Sequence, residues 1–410
     1  MLERPKRKNP VLATRLPKLP PAARSRIALG LTAAAALGRF ELQQCRDCST
    51  VQYPPREACQ KCLSVRLDWK PQPAEGELLA ATMLHHSNDL FFRERLPWRL
   101  GLIKLDCGPT VVAHLHERVG AAPCRVMVAA KLDRAGQAAL VAVPDKEANM
   151  AEDRQLREFT CDPKFRKVLV TDGKTALGQT VVKALAAAGA ELIWVGHAEP
   201  WKKFAGFDEL TKIRQVTLLP LDVTDSKNVR EVAAEIGGKV DILVNTAEYH
   251  RAFGIGNRAG VDTARAEMDV NYFGLLRLAQ EFGPAMRSRG ADGLASATAW
   301  VNLLSIYALA NFPPHGTFSA SKAAAHSLAQ CLRAEMRPAG VRVINVFPGP
   351  SDDEWNQLLP PPKVSAPVLA NAIVKALQEG VEDVYPGDVA QEWLARWRDN
   401  PKALEKELST

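Results

Sequence analysis

Over the first 144 residues the apolar positions come in short runs with little helical periodicity. ELLAATMLHH (77–86), RLGLIKLD (99–106), TVVAHLH (110–116), RVMVAAK (125–131) and QAALVAV (137–143) are strand-length segments separated by turn-forming or polar residues. Five strands in that length predict a small Greek-key barrel of the OB type. Beyond a charged connector, PDKEANMAEDRQLREFTCDPKFRK (144–167), the period changes. KVLVT (167–171), ELIWVG (191–196), QVTLLPLD (215–222), DILVN (241–245), AWVNLLS (299–305) and VRVINVF (341–347) read as buried strands. Helical patterns lie between them: about Ala176 to Ala188, SKNVREVAAEIG, and the long stretch from Thr263 to Met286. This alternation predicts an α/β doubly wound parallel sheet of Rossmann type, with its ligand crevice at the carboxyl ends of the strands.

Charge changes the picture at one end only. Residues 1–26 carry eight basic side chains against Glu3, which accounts for the whole formal net charge of +7. The high pI therefore describes an arm, and nucleic-acid binding is not expected: the barrel segments show neither interleaved aromatics nor a basic stripe. Pro5, Pro10, Pro17, Pro20 and Pro21 break any amphipathic transit helix in that arm. The apolar run IALGLTAAAAL (27–37) is too short to span a bilayer and reads as a packed helix. The expectation is a cytoplasmic protein without a membrane segment.

Candidate chemistry begins with Cys45, Cys48, Cys59 and Cys62, spaced C-x2-C-x10-C-x2-C. Each pair can turn both thiolates toward one point, and two such knuckles close a tetrahedral sulfur site suited to zinc. All four positions are filled by protein, so the zinc is expected to be structural. Disulfides are the competing reading, but no secretory signal supports them. Cys107, Cys124, Cys161 and Cys331 are scattered and read as incidental thiols. His114 and His116 would share one strand face, and two surface histidines are the expected reading over a ligand pair.

The phrase CRDCSTVQYPPREACQKC, the helix before it and the barrel strands after it resemble one family over roughly residues 22–144. These are the acyl-CoA-associated zinc-ribbon/OB-fold proteins (domain-of-unknown-function family 35). That resemblance implies an obligate companion of a thiolase-like enzyme, either a thiolase or a retro-aldolase, at an acyl-CoA site. From about 166 to 392 the chain resembles the short-chain dehydrogenases/reductases. LDVTD (221–225), VNTAE (244–248), DVNYFG (269–274), VNLLS (301–305), SASKAAA (319–325) and FPGP (347–350) follow in the family's order. The likeness implies Asn271, Ser305 and Lys322 as remnants of a catalytic tetrad. It implies Gly173, Gly178, Asp222, Asn245, Pro348 and Gly349 around a dinucleotide.

The departures from that family's pattern are as informative. TDGKTALG (171–178) puts Asp172 and Ala176 where two phosphate-loop glycines belong, and Glu248 replaces a glycine in the fourth-strand turn. GHAEP (196–200) supplies no acid for the ribose of NAD; His197 and Lys202–Lys203 at most suit a 2′-phosphate. Phe318 occupies the tyrosine position and keeps the ring without its proton. Tyr307 or His315 would have to rescue the lost acid, and NAD(P) binding is itself put in doubt. The domain plan is a basic Pro-rich arm and helix (1–40), a zinc ribbon (41–72), an OB barrel (73–144), a linker (145–165) and the dehydrogenase-like domain (166–410). The expected function is an accessory subunit of an acyl-CoA-processing complex, its dehydrogenase half inactive. The assembly could include a thiolase-like or aldolase subunit and either an intact short-chain dehydrogenase or a second copy of the chain. The alternative is an active NADP(H)-dependent 3-oxo/3-hydroxyacyl-CoA oxidoreductase with a non-standard proton donor.

Overall fold

The computed structural model describes residues 19–22, 24–144, 148–257, 259–291 and 296–409. Most of the basic arm lies outside them. The chain forms two compact units, one built from 19–162 with 378–381 and the other from 163–377 and 382–409.

The first unit opens with α1 (Leu29–Ala36), which buries Leu31, Ala34 and Ala35. A side chain at Gly30 would collide with the Trp69 ring, so the alanine- and glycine-rich face is what allows close packing there. Strands β1 (Glu41–Cys45), β2 (Val51–Gln52) and β3 (Leu67–Pro71) pair as the antiparallel ribbon sheet β2-β1-β3. The barrel follows: β4 (Glu75–Leu84), α2 (Leu90–Arg93), β5 (Trp98–Leu105), β6 (Thr110–Leu115), β7 (Cys124–Leu132) and β8 (Ala138–Val143). Its strands close in the order β4-β5-β6-β8-β7, with β6 and β8 parallel. Alternation explains the core: Val126, Val128, Ala130 and Leu132 of β7 point inward with Val111, Ala113 and Leu115 of β6. Each of the five segments read from the sequence is one of these strands.

The histidine reading needs correction. His116 is buried and lies just past β6, its Nδ1 accepting from the Arg118 backbone N–H at 3.1 Å. His114 accepts from Trp98 Nε1 at 2.8 Å and packs 5.2 Å from the Phe159 ring. Neither is a surface histidine, because residues 148–160 of the connector fold back on the barrel. There, short 3-10 turns bury Leu156 and Phe159 in an aromatic cluster with Phe91 and Trp98.

The second unit supplies β9 (Lys167–Val170), α3 (Ala176–Ala187), β10 (Leu192–His197), α4 (Phe207–Thr211), β11 (Val216–Pro220), α5 (Ser226–Ile236) and β12 (Ile242–Asn245). Then come α6 (Asp262–Met268), α7 (Leu275–Ser288), β13 (Ala299–Leu303), α8 (Gly316–Met336) and β14 (Arg342–Val346). The last elements are α9 (Ala366–Glu379), β15 (Asp383–Val384), α10 (Asp388–Asp399) and α11 (Pro401–Glu407). Seven parallel strands run β11-β10-β9-β12-β13-β14-β15. The order reverses between β9 and β12, which opens the crevice a doubly wound sheet offers at its switch point. The central strands β12 and β13 are buried at every residue, as their mostly apolar runs predict; the one polar side chain inside β13, Asn302, is satisfied by Trp300 and Asn345. The helix expected from Thr263 to Met286 is not uniform: Asp269–Gly274 between α6 and α7 winds as a π segment and carries Asn271. Strand β15 is two residues long and was not read from the sequence.

Candidate functional sites

The ribbon knuckles form first from backbone. Ser49 N–H donates to the Cys45 carbonyl at 3.0 Å and Leu63 N–H to the Cys59 carbonyl at 2.9 Å. Ser49 and Leu63 both take left-handed φ of 58°, the tight turn that aims each thiol pair inward. The Cys45–Cys62 and Cys48–Cys59 sulfur separations are both 3.6 Å, and all four sulfurs lie within 4.8 Å of one another. Four thiolates at zinc–sulfur bonds of about 2.3 Å would sit about 3.8 Å apart, so the donor set fits zinc. With no place left for water, this zinc is structural.

In the second unit the loop after β9 is tightly specified. A side chain at Gly178 would run into the Asp172 carbonyl, and one at Gly173 into Val195. Thr171 Oγ1 donates to Asn245 Oδ1 at 2.9 Å and accepts the Thr246 and Ala247 backbone N–H groups, tying β9 to the end of β12. Asn245 thus spends its side chain within the loop. Asp172 accepts from Lys174 N–H at 2.7 Å, and burial still pushes its carboxyl above the usual range. Thr175 caps α3 through Gly178 N–H at 3.0 Å, so one of the free amides at that helix start is already satisfied. Asp222 also turns inward on the chain after β11, accepting from Thr224 N–H and Oγ1, while Asp225 caps α5.

At the end of β10 a cavity of about 370 Å³ is lined by His197, Lys174, Lys202, Lys203, Glu199 and Phe204, among others. Lys174 pairs with Glu199, and Lys203 lies 2.9 Å from Asp208. His197 is buried, and its Nδ1 meets no hydrogen-bond partner among the described residues.

The far end of the crevice is organised around α8. Lys322 is 1% exposed; its ammonium donates to the Leu303 carbonyl at 3.0 Å and pairs with Glu248 at 2.7 Å. Asn271 accepts from Tyr249 N–H at 3.0 Å and donates to both the Tyr249 carbonyl and Ser321 Oγ. Ser305 accepts from Tyr307 N–H at 3.2 Å. Phe318 is buried, and the His250 ring stacks on it with centroids 3.7 Å apart. His250 Nε2 shares a proton with His315 Nδ1 across 2.6 Å. Burial lowers the pKa of both imidazoles, and the neighbouring His315 charge lowers that of His250 further. Tyr307 packs on Phe312 and Trp393, its hydroxyl buried without a partner among the described residues. Burial, and then the charge of Asp353, push that phenol pKa upward. Pro348 accepts from Ile306 N–H, and Gly349 packs so closely on α10 that a side chain would press on Val389 and Ala390.

Lys322, Asn271, Ser305 and Phe318 thus share the neighbourhood their spacing implies, but each polar group is already engaged. His250 was missed. A histidine following VNTAEY carries no signal in a single sequence, because its partner His315 lies 65 residues away.

A thiolate ribbon on a closed five-stranded barrel, followed by a seven-stranded doubly wound domain, defines a fusion of a zinc-ribbon/OB module with a dinucleotide-type fold. The relatives agree. The family model for short chain dehydrogenases matches residues 166–361. Residues 32–68 match the ChsH2 rubredoxin-like zinc ribbon domain and 69–129 the ChsH2 C-terminal OB-fold domain. A short chain dehydrogenase from Burkholderia cenocepacia, solved in complex with NADP, is 34% identical. It aligns over 60% of this chain and 98% of its own, with a TM-score of 0.54. The mouse dehydrogenase/reductase SDR family member 7B is 32% identical over 44% of this chain. The chain spans only 56% of that relative's length. A fatty acyl-CoA reductase of Acinetobacter baylyi is 27% identical over 46% of this chain and 63% of its own length. The chain belongs to the short-chain dehydrogenase family through its second unit, and its first unit carries the ChsH2-type ribbon and barrel. Among the described residues no helix is long and apolar enough to cross a membrane.

Proposed function

We propose that the chain is a cytoplasmic accessory subunit of an acyl-CoA-processing assembly whose catalytic partner is a thiolase-like enzyme, a thiolase or a retro-aldolase. The ribbon and barrel (41–144) dock that partner, and the dehydrogenase-like domain (166–410) serves assembly. One observation carries this reading: the proton-donor position holds Phe318, capped by His250 at 3.7 Å, beside a lysine already neutralised by Glu248. The family's chemistry needs a phenol whose proton a neighbouring lysine loosens, and its loss costs ~10²–10⁴-fold in rate. The face of α6 around Val261, Met268 and Phe273 borders a cavity of about 570 Å³ and leaves Val261 and Phe273 exposed. An apolar patch of this kind suits a second dehydrogenase-like subunit, whether another copy or an intact enzyme.

Co-expression with candidate thiolase-like and dehydrogenase subunits, followed by mass measurement of the purified complex, tests the proposal. A stable heteromeric complex is expected; a chain that purifies alone from its native host overturns it. The second reading, an active NADP(H)-dependent oxidoreductase of 3-oxo/3-hydroxyacyl-CoA, is supported by the likeness to a relative solved with NADP. It requires NADPH turnover that Lys322→Ala abolishes.

A further inference from the structure

The first unit has a cavity of its own, where the connector folds over the outside of the barrel. Its volume is about 130 Å³, and the rings of Phe91, Phe92 and Phe159 form its apolar walls with Ala139 of β8. The ChsH2 ribbon and barrel models match residues 32–68 and 69–129. Arg24, Asp133, Arg134, Ala139, Glu158 and Phe159 all lie outside those spans, so most of the cavity is made by chain the models do not cover. Its polar groups are unevenly engaged. Glu158 lies between Arg95 at 3.1 Å and Arg134 at 3.8 Å. Asp133 accepts the backbone N–H groups of Ala135 and Gln137 at 2.8 and 3.0 Å. Both acids already have partners. His114 faces the cavity with its Nδ1 accepting the Trp98 indole N–H at 2.8 Å, so the proton of the neutral ring sits on Nε2. Burial lowers the pKa of that imidazole to about 4 and keeps it neutral. Among the described residues nothing accepts from this Nε2–H.

We propose that this cavity binds a small carboxylate with a flat apolar body, about the size of benzoate. The body lies among the three phenyl rings, whose edges and faces suit a flat ring. The carboxylate turns to the mouth and accepts from His114 Nε2–H and from the exposed Arg24 guanidinium. Arg24 already donates to the Pro21 carbonyl at 3.1 Å, but a guanidinium has five N–H donors and can bind an anion without giving up that contact. Arg134 stays with Glu158. Size sets the class of ligand: an apolar cavity of about 150 Å³ holds benzene, so this one suits a single ring and excludes anything much larger. The inference needs neither a partner subunit nor a nucleotide, so it stands or falls apart from the accessory role.

Fluorine NMR titration of the full zinc-loaded chain decides it, with 4-fluorobenzoate and its neutral isostere 4-fluorobenzamide as probes. The acid is expected to bind with a dissociation constant below about 1 mM, and the amide about tenfold or more weakly, the worth of a charge-assisted contact. Acetate keeps the charge and lacks the ring, so it should compete about tenfold or more weakly than unlabelled benzoate. Ala139→Leu fills the cavity without removing a polar group and should abolish binding. The exposed Arg24→Ala should weaken the acid about tenfold and leave the amide unchanged. Equal binding of acid and amide, acetate competing as well as benzoate, or binding that survives Ala139→Leu overturns the proposal. So does an Arg24→Ala affinity equal to that of the unchanged chain, or no binding of the acid up to about 10 mM.

Discussion

The Glu248–Lys322 pair gives the sharpest energetic prediction. Lys322 is 1% exposed and Glu248 is 25% exposed, with 2.7 Å between nitrogen and oxygen. At an effective dielectric of about 20 the gross attraction at that distance is ~6 kcal/mol, most of it offset by taking the ammonium out of water. Glu248→Gln removes the countercharge and leaves the buried ammonium, among the described residues, with the Leu303 carbonyl as its hydrogen-bond acceptor. Breaking a buried pair from that side costs about 2–4 kcal/mol. Lys322→Met leaves the more exposed partner behind, and Glu248 can turn to water, so its cost is about 1 kcal/mol. Once the lysine is gone, Glu248→Gln should cost nearly nothing, giving a coupling energy of about 2 kcal/mol or more. The assay is urea unfolding of the four proteins followed by tryptophan emission, since six of the eight tryptophans lie beyond residue 163. Strictly additive effects, with coupling below ~0.5 kcal/mol, would refute the claim that Glu248 neutralises Lys322.

Other outcomes follow from the same geometry. Phe318→Tyr should give no NADPH-dependent reduction of a 3-oxoacyl-CoA above background, because His250 covers the ring and Glu248 holds the lysine; measurable turnover would contradict the closed crevice. Purified chain should contain one zinc, and Cys59→Ser should lose it and unfold the ribbon while the second unit keeps its own urea transition; metal analysis and circular dichroism check both. Acid should destabilise the first unit. Burial lowers the His114 pKa to about 4, so the stability tied to its neutral form is complete above its ordinary value and is lost as pH falls toward 4. That loss amounts to about 3 kcal/mol by pH 4, read from urea midpoints at several pH values. Asp172 runs the other way: its carboxyl pKa is raised by burial, so its contribution is complete at low pH and is lost as pH rises through the raised value. Asp172→Asn should therefore raise the urea midpoint at pH 7, and an unchanged or lowered midpoint would contradict a half-buried, poorly solvated carboxylate there.

Much of the architecture was legible because burial leaves a periodic trace. Strands β6 and β7 of the barrel alternate, the central strands of the second sheet are mostly apolar, and two C-x2-C pairs specify their own knuckles. What stayed hidden was pairing between distant residues. Glu248 was recognisable as a misplaced acid, but its contact with Lys322, 74 positions later, depends on how β12 and α8 converge. The same holds for His250 on Phe318. His114 was misread because alternation tells which face of a strand a residue is on, not what later chain folds over that face. Here Leu156 and Phe159, from a stretch that reads as a charged connector, cover the outside of the barrel.

The closed end of the crevice follows from a simple charge argument. A lysine buried beside a tyrosine has a phenolic oxygen to share its proton with; replace the tyrosine by phenylalanine and the ammonium is left facing an apolar ring, here 5.4 Å from its nitrogen. A buried, uncompensated ammonium costs several kcal/mol, so the chain must lose the lysine, let in water, or supply an anion. It supplies one from the neighbouring turn, where a glycine in the family would have left room for the nucleotide. Glu248 stabilises the ammonium that Phe318 leaves without a phenolic partner. The two substitutions support each other structurally. Reverting Phe318 alone therefore restores a phenol beside a lysine that already has its countercharge.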